Sequence, residues 1–264
     1  MFSKLLLRSG FSHPLTRGRH IDSIENNILR SNIIRKKGFL KKIYLRWYEL
    51  IIESLNHNIE GPLLELGSCG GFFREFIPKL ITSDILHIPD MGLVLDGQHL
   101  PFSRESLRGI VMINVFHHLP EIESFLEDAG FCVKPGGTVV MIEPWVTNWS
   151  RIMYGLFHFE ECCLDVKDWK SPAGGPLSGA NLALPWIVFE RDRKRFEQNF
   201  PKWQVERIEL HEPFCYLLSG GVSFKSFMLP ALYEMCRKIE NIVRPWMHRW
   251  AMFATITLIR RKTE

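Results

Sequence analysis

The sequence predicts an α/β fold: a mainly parallel β-sheet with helices on both faces. Three observations lead to it. Pro62 to Leu66 is a short apolar run that passes directly into the small-residue turn Gly67-Ser68-Cys69-Gly70-Gly71. Strand-like apolar runs then alternate with helical patterns as far as Pro144, and such alternation demands a parallel sheet covered on both faces. Beyond Pro144 the alternation stops, and two long insertions separate the remaining strand-like runs.

Residues 1–20, rich in His, Arg, Gly and Pro, read as a basic N-terminal tail. Ile21, Ile24, Ile28 and Ile33-Ile34 recur near helical spacing, which predicts an amphipathic helix that Gly38 interrupts. Leu40, Ile43, Tyr44, Trp47, Ile51 and Leu55 mark one face of a second helix, so residues 21–58 read as a helical cap. Arg35-Lys36-Lys37 and Lys41-Lys42 give this cap a basic flank. The first strand, Pro62 to Leu66, enters the glycine turn, and a helix is expected to start at Phe72. A strand, glycine turn and helix start together bring backbone N–H groups close to a ligand. Glycine turns of this kind also occur with no ligand at all.

Thr82 to Ile85 places Asp84 at the end of a second strand. Leu95 to Phe102 follows, then a strand from Gly109 to Val115 that ends in Phe116-His117-His118-Leu119-Pro120. A helix from Glu121 to Cys132 leads through Lys134-Pro135-Gly136-Gly137, a turn signal, to a strand from Thr138 to Ile142 that closes on Glu143-Pro144. Residues 145–188 contain Trp145, Trp149, Tyr154, Phe157, Phe159, Trp169 and Trp186, too long for a simple connection and too aromatic for disorder. Phe189 to Phe200 reads as a charged surface helix and Trp203 to Leu210 as a late strand. Residues 212–249 form the second insertion, before a final strand from Ala251 to Ile259.

At 264 residues, with 23% charged residues, one globular domain with insertions is the simplest division. A formal net charge of +4 is too small to argue for nucleic acid. The cysteines show no C-x-x-C pair, and Cys162-Cys163 beside His158, Glu160 and Glu161 lacks the usual ligand spacing, so no metal is expected. Reduced thiols suit a cytoplasmic enzyme. No apolar run approaches the roughly 18–20 residues of a transmembrane helix. Met1 to Arg8 is too short in apolar core for a secretory signal; a basic start without acids until Asp22 also suits a mitochondrial presequence, a solvated tail being the simpler reading.

The run from Gly61 to Pro144 resembles a class I S-adenosylmethionine-dependent methyltransferase of the small-molecule type that includes quinone-biosynthesis methyltransferases. The likeness rests on Glu65-Leu66-Gly67-Ser68-Cys69-Gly70-Gly71, Asp84, Asp96 with Leu100-Pro101-Phe102, His117-His118-Leu119-Pro120 and Lys134-Pro135-Gly136-Gly137. Cys69 stands where the family's acid-x-Gly-x-Gly-x-Gly has its middle glycine. The resemblance implies a Rossmann-like domain over 59–264, insertions at 145–188 and 212–249 acting as lids, and an antiparallel last strand. It implies S-adenosyl-L-methionine as cofactor, its methionine portion cradled by Glu65, Gly67, Ser68, Cys69 and Gly71. Asp84 would take the ribose hydroxyls, and Asp96, Gly97 and Gln98 would face the adenine. Asn114 lies at a strand's carboxyl end, where the crevice of an open α/β sheet opens. Structural alternatives stand beside these: a helix cap for Asp84, an Asx turn for Asp96, a strand-end turn for Asn114.

Methyl transfer from a sulfonium is an in-line displacement, so the protein's main task is alignment. His117 and His118 are candidate general bases. The competing reading has them opening the next helix, one ring under the cofactor and the other in solvent. The aromatics of both insertions and the cap predict a mostly apolar acceptor pocket, with Ser178, Asn181 or Tyr216 orienting a small-molecule or lipid-like acceptor at oxygen or carbon. The basic flank would make a weak peripheral contact with an anionic membrane. The rivals are a nicotinamide-dependent oxidoreductase, for which the turn lacks G-x-G-x-x-G, and a non-catalytic S-adenosylmethionine-binding module. Oligomeric state leaves no signal in the sequence.

Overall fold

The structure, a computed structural model, describes residues 13, 20–68, 71–89, 91–172 and 174–262. The expected basic tail lies almost wholly outside the described residues, as do Cys69 and Gly70. Seven strands form one sheet: β1 (Leu63–Leu66), β2 (Leu80–Asp84), β3 (Leu93–Val94), β4 (Leu107–Ile113), β5 (Val133–Pro144), β6 (Trp203–His211) and β7 (Phe253–Arg260), in the order β3-β2-β1-β4-β5-β7-β6. Every pair from β3 to β5 is parallel. β7 runs antiparallel to both β5 and β6, between which it is inserted. The sheet is therefore the Rossmann-like α/β arrangement with an antiparallel last strand that the sequence predicts.

Both faces of the sheet are buried, which is why β5 carries the unbroken apolar run Val139-Val140-Met141-Ile142, each residue 0% exposed. Alternate residues serve opposite layers. Leu64, Ile110, Met112, Val139 and Met141 pack under helix α3 (Ile122–Cys132) and under the helical run from Leu184 to Asn199. That run has a π turn, Ile187–Arg191, before α5 (Arg193–Asn199). Phe189 and Phe196 are fully buried in it, so the stretch expected as a charged surface helix is a core element with a charged outer side.

Leu63, Val111, Val140, Ile142 and Phe253 face the other way, onto the N-terminal helices. These are α1 (Ile24–Lys36), capped by the Ser23 side chain, and α2 (Gly38–Ser54). Leu40, Ile43, Trp47 and Ile51 of α2 are 0% exposed against the sheet.

No α-helix starts at Phe72. From Phe72 onward the β1–β2 connection holds the 3₁₀ turn Phe73–Glu75. The cause is α2, which occupies the face such a helix would cover. Tyr48 stacks on Phe73 at 4.6 Å, and its hydroxyl accepts the Phe72 N–H at 2.9 Å. The insertions contribute α4 (Asn148–Phe157), α6 (Cys215–Ser219), α7 (Tyr233–Ile242) and α8 (Met247–Trp250). Among the described residues no helix is long and apolar enough to cross a membrane.

Candidate active site

The carboxyl ends of β1, β2, β4 and β5 and the start of antiparallel β7 all lie at one edge of the sheet. A cavity of about 430 Å³ opens there, beside the point between β1 and β4 where strand order reverses. Gly67, Asp84, Asp96, Gly97, Gln98, Asn114, His117, His118 and Tyr216 all line it. Residues far apart in the chain thus share one space.

At its strand end the cavity is built from turns. Gly67 has φ +69°, and a Cβ there would collide with Val115 Cγ2. Asn114 also adopts a left-handed φ, +55°, where β4 gives way to the histidine turn. Asp84 Oδ1 accepts the Leu86 N–H at 3.0 Å, and Asp96 Oδ1 accepts the Gln98 N–H at 2.9 Å while the Gln98 side chain returns to the same carboxylate. The Asx turn and the strand-end turn are therefore present, and both still face the cavity. An acidic residue after β2, an amide-bearing turn after β3 and a left-handed glycine after β1 form a donor and acceptor set that suits a nucleoside carrying a charged amino-acid tail.

Three of the expected cofactor residues are elsewhere. Glu65, Ser68 and Gly71 line a second pocket of about 290 Å³ together with Arg35 and Phe72. The Ser68 hydroxyl donates to the Glu65 carbonyl at 3.2 Å and accepts the Ser83 N–H, so it ties β1 to β2. Burial, with the Asp84 charge adding to it against a hydrogen bond from Ser68, pushes the Glu65 carboxyl up to about 7. Cys69 lies outside the described residues.

Two expected acceptor residues, Ser178 and Asn181, do not line this cavity. The Ser178 hydroxyl donates to Asp22 Oδ2 at 2.7 Å and accepts the Gly175 N–H at 2.8 Å, outside the cavity lining. Asn181, 1% exposed, spends its amide on the Cys163 backbone, accepting its N–H and donating to its carbonyl at 2.9 Å each. Its own N–H donates to the His117 carbonyl, so Asn181 positions the histidine turn. Tyr216 alone of the three reaches the cavity, stacked on Trp47.

The histidines form the most polar part of the wall. His117 Nδ1 lies 2.6 Å from Glu143 Oε2, and Glu143 Oε1 accepts the Val115 and Phe116 N–H groups at 2.8 Å each. Glu160 comes in from the first insertion, its Oε2 3.4 Å from His117 Nε2 and 3.5 Å from His158 Nδ1, its Oε1 3.9 Å from His118 Nε2. Burial opposes charge on His117, but Glu143 and Glu160 outweigh it and push the ring up to about 9. Burial and then the His117 charge pull His118 down to about 3. Burial works against the charge on Glu160, yet His158, His117 and His118 hold its carboxyl well below the usual range. The carboxylates and burial thus move the two rings of the predicted pair of bases in opposite directions.

Sequence reasoning missed Glu143, Glu160, Asn27 and Arg30 as cavity-facing or site-ordering groups. Glu143 was legible as an acid closing a strand at the cavity edge. His158 and Glu160 were noticed only beside Cys162 and Cys163, which do not share the cluster.

A family described as a methyltransferase domain matches residues 64–141. No curated protein sequence matches the chain. Among solved structures, geranyl diphosphate C-methyltransferase from Streptomyces coelicolor A3(2), in complex with Mg2+, geranyl diphosphate and S-adenosyl-L-homocysteine, is similar at TM-score 0.51 and 10% identity, covering 95% of this chain and 89% of its own. A geranyl diphosphate methyltransferase in complex with SAM is similar at TM-score 0.50 and 9% identity, covering 88% and 90%. At such identities the likeness to these structures is one of fold.

Proposed function

We propose that this chain, which matches a methyltransferase-domain family over residues 64–141, is an S-adenosylmethionine-dependent enzyme that methylates a small-molecule or lipid-like, largely apolar acceptor at oxygen or carbon. The observation behind this reading is the continuity of one cavity. Gly67, Asp84, Asp96–Gln98 and Asn114 share it with Leu182, Tyr154, Tyr216 and the histidine cluster. Polar strand-end turns and apolar walls around one space are what a two-substrate transfer site requires. S-adenosylmethionine would be held by Asp84 and the turns at Gly67 and Asp96–Gln98, and when bound it supplies an activated methyl group. The protein's own task is then to hold the acceptor in line and exclude water.

Calorimetry tests the cofactor. Low-micromolar binding of S-adenosylmethionine is expected, roughly −7 to −8 kcal/mol, and Asp84→Ala should weaken it by about 1.5–3 kcal/mol, the scale of a hydrogen bond to a charged group. Heat with NAD and none with S-adenosylmethionine would reverse the assignment to an oxidoreductase. Binding without methyl transfer to any acceptor tried, under conditions where S-adenosylhomocysteine is also never released, would favour a binding module.

The acceptor's lipid-like character draws on a second surface. The basic flank expected to meet a membrane is partly engaged within the chain, although Arg35, Lys36 and Lys41 stay exposed. Arg35 pairs with Glu75 at 2.7 Å, and Lys37 donates to the Gly221 and Phe224 carbonyls. A different patch stands at the cavity edge of the sheet. Met235, Ile239 and Ile242 form an exposed stripe on α7, continued by Trp246 and Trp250, and α8 packs on α4, where Ile152 is exposed. Exposed Arg151, Lys238, Arg244 and Arg249 accompany it. An apolar stripe with tryptophans and basic residues suits an anionic lipid surface. Flotation with phosphatidylserine vesicles should show salt-sensitive binding that Ile242→Ser with Trp246→Ser abolishes. Absence of binding at low salt, or a concentration-dependent dimer lost in the same variant, would replace the membrane with a protein partner.

A further inference from the structure

We propose that His117, His118 and Glu160 hold a divalent first-row transition-metal ion on the cavity wall. The ion's binding stands on the side-chain geometry alone; its role, presenting an acceptor oxygen, rests on the methyltransferase reading.

The three ligand atoms lie within 4.8 Å of one another. His117 Nε2 to Glu160 Oε2 is 3.4 Å, and His118 Nε2 to Glu160 Oε1 is 3.9 Å. Charge-assisted hydrogen bonds would close to about 2.7–2.9 Å. A tetrahedral site with bonds of about 2.0–2.1 Å instead has ligand–ligand edges of about 3.3–3.4 Å, which the His117–Glu160 distance matches, while His118 would have to close by about 0.5 Å on Glu160 when an ion binds. The orientation agrees. Glu143 is fixed by two backbone N–H groups and accepts from His117 Nδ1, so Nε2 is the nitrogen that faces Glu160 and would give up its proton when an ion binds. A carboxylate behind a ligating histidine is the usual second layer of such sites. Glu160 Oε2, 3.4 Å from His117 Nε2 and 3.5 Å from His158 Nδ1, is buried without a hydrogen-bond partner. Two imidazoles and one carboxylate suit zinc and its neighbours, whereas magnesium prefers an all-oxygen set. Three protein ligands leave a position open towards the cavity, where an acceptor hydroxyl or carbonyl oxygen would complete the coordination.

A second buried cluster, Glu212, Cys215 and Glu240, supplies the control. There Glu240 Oε1 accepts the Phe214 and Cys215 N–H groups, and Arg237 lies 3.9 Å from Glu212 and 3.7 Å from Glu240, so the cluster already has a cation.

The test is zinc titration of chelator-treated full-length protein, followed by calorimetry and thermal denaturation. One zinc ion per chain is expected, with a raised Tm. Glu160→Gln and His118→Asn, on separate elements so that one misfolded variant does not decide the matter, should each weaken binding at least about 10-fold. Glu143→Gln should weaken it about 10–100-fold without removing a ligand, and Glu212→Gln should leave it unchanged. No uptake by the unsubstituted chain, or uptake indifferent to both Glu160→Gln and His118→Asn, overturns the proposal. Cofactor binding is measured on the same stripped protein. S-adenosylmethionine binding without zinc uptake removes the metal site alone, and zinc uptake without S-adenosylmethionine binding removes the methyltransferase reading alone.

Discussion

Gly67 and Glu65 sit two residues apart on the same strand exit and make opposite demands. At Gly67 the chain takes φ +69° with Val115 pressed against it, so Gly67→Ala adds backbone strain and a clash together. A loss of about 1–3 kcal/mol is expected, with weakened cofactor binding; a denaturation midpoint equal to that of the unsubstituted protein would show that the turn relaxes freely. Glu65 is buried, and its carboxyl is pushed up to about 7 from 4.5. The folded state therefore binds this proton more tightly than the unfolded chain. The side chain favours folding most below about pH 4.5, and that contribution is lost as pH rises to about 7, up to about 3 kcal/mol in all. Denaturant curves at several pH values should show the difference between the native chain and Glu65→Gln changing over this window and level above it. A pH-independent difference would mean that Glu65 is ionised in the fold.

At the scale of elements, the first insertion is tied down by a residue that precedes the sheet. Asp22 Oδ1 accepts the Leu177 and Ser178 N–H groups at 2.7 and 3.0 Å, and Oδ2 accepts the Ser178 hydroxyl. The loop so held carries Pro172 and Gly174–Leu177 along the cavity wall. Asp22→Ala should speed limited proteolysis within 172–182 and raise the acceptor KM more than it lowers kcat; unchanged cleavage would mean that the loop is held by its own packing. Legibility followed the same division. The strands could be read because Val139 to Ile142 must be apolar when both faces are covered. The missing helix after β1 could not, since Phe72, Phe73, Phe76 and Ile77 look helical until Tyr48 is known to lie over them. Ser178 and Asn181 were visible as polar residues within an aromatic insertion, but not their partners, which lie 156 and 18 residues away.

Across the whole molecule, chain order and spatial order part most at the N-terminus. Helical periodicity showed that α2 has an apolar face, yet periodicity names a face and not the surface that covers it. The motifs at Gly67, Asp84, Asp96 and His117 were legible because they lie on consecutive strand ends of one sheet, whereas Glu160 reaches His117 across 43 residues from outside that pattern. The same non-local packing makes α2 part of the core and not a detachable cap. Trp47 is 0% exposed, rings of Tyr44 and Phe253 stand 5.1 Å from it, and Tyr216 of the cavity wall stacks on it at 5.8 Å. Trp47→Ala should cost about 3–5 kcal/mol, and because Tyr216 loses its support, acceptor turnover should fall in protein that still folds and still binds cofactor. Removal of residues 20–56 should go further. It bares Val140, Ile142 and Phe253 on a central strand pair, more apolar surface than a marginal stability can tolerate. A truncated chain that still unfolds cooperatively and binds S-adenosylmethionine with unchanged affinity would show that the sheet is self-sufficient and α2 an accessory.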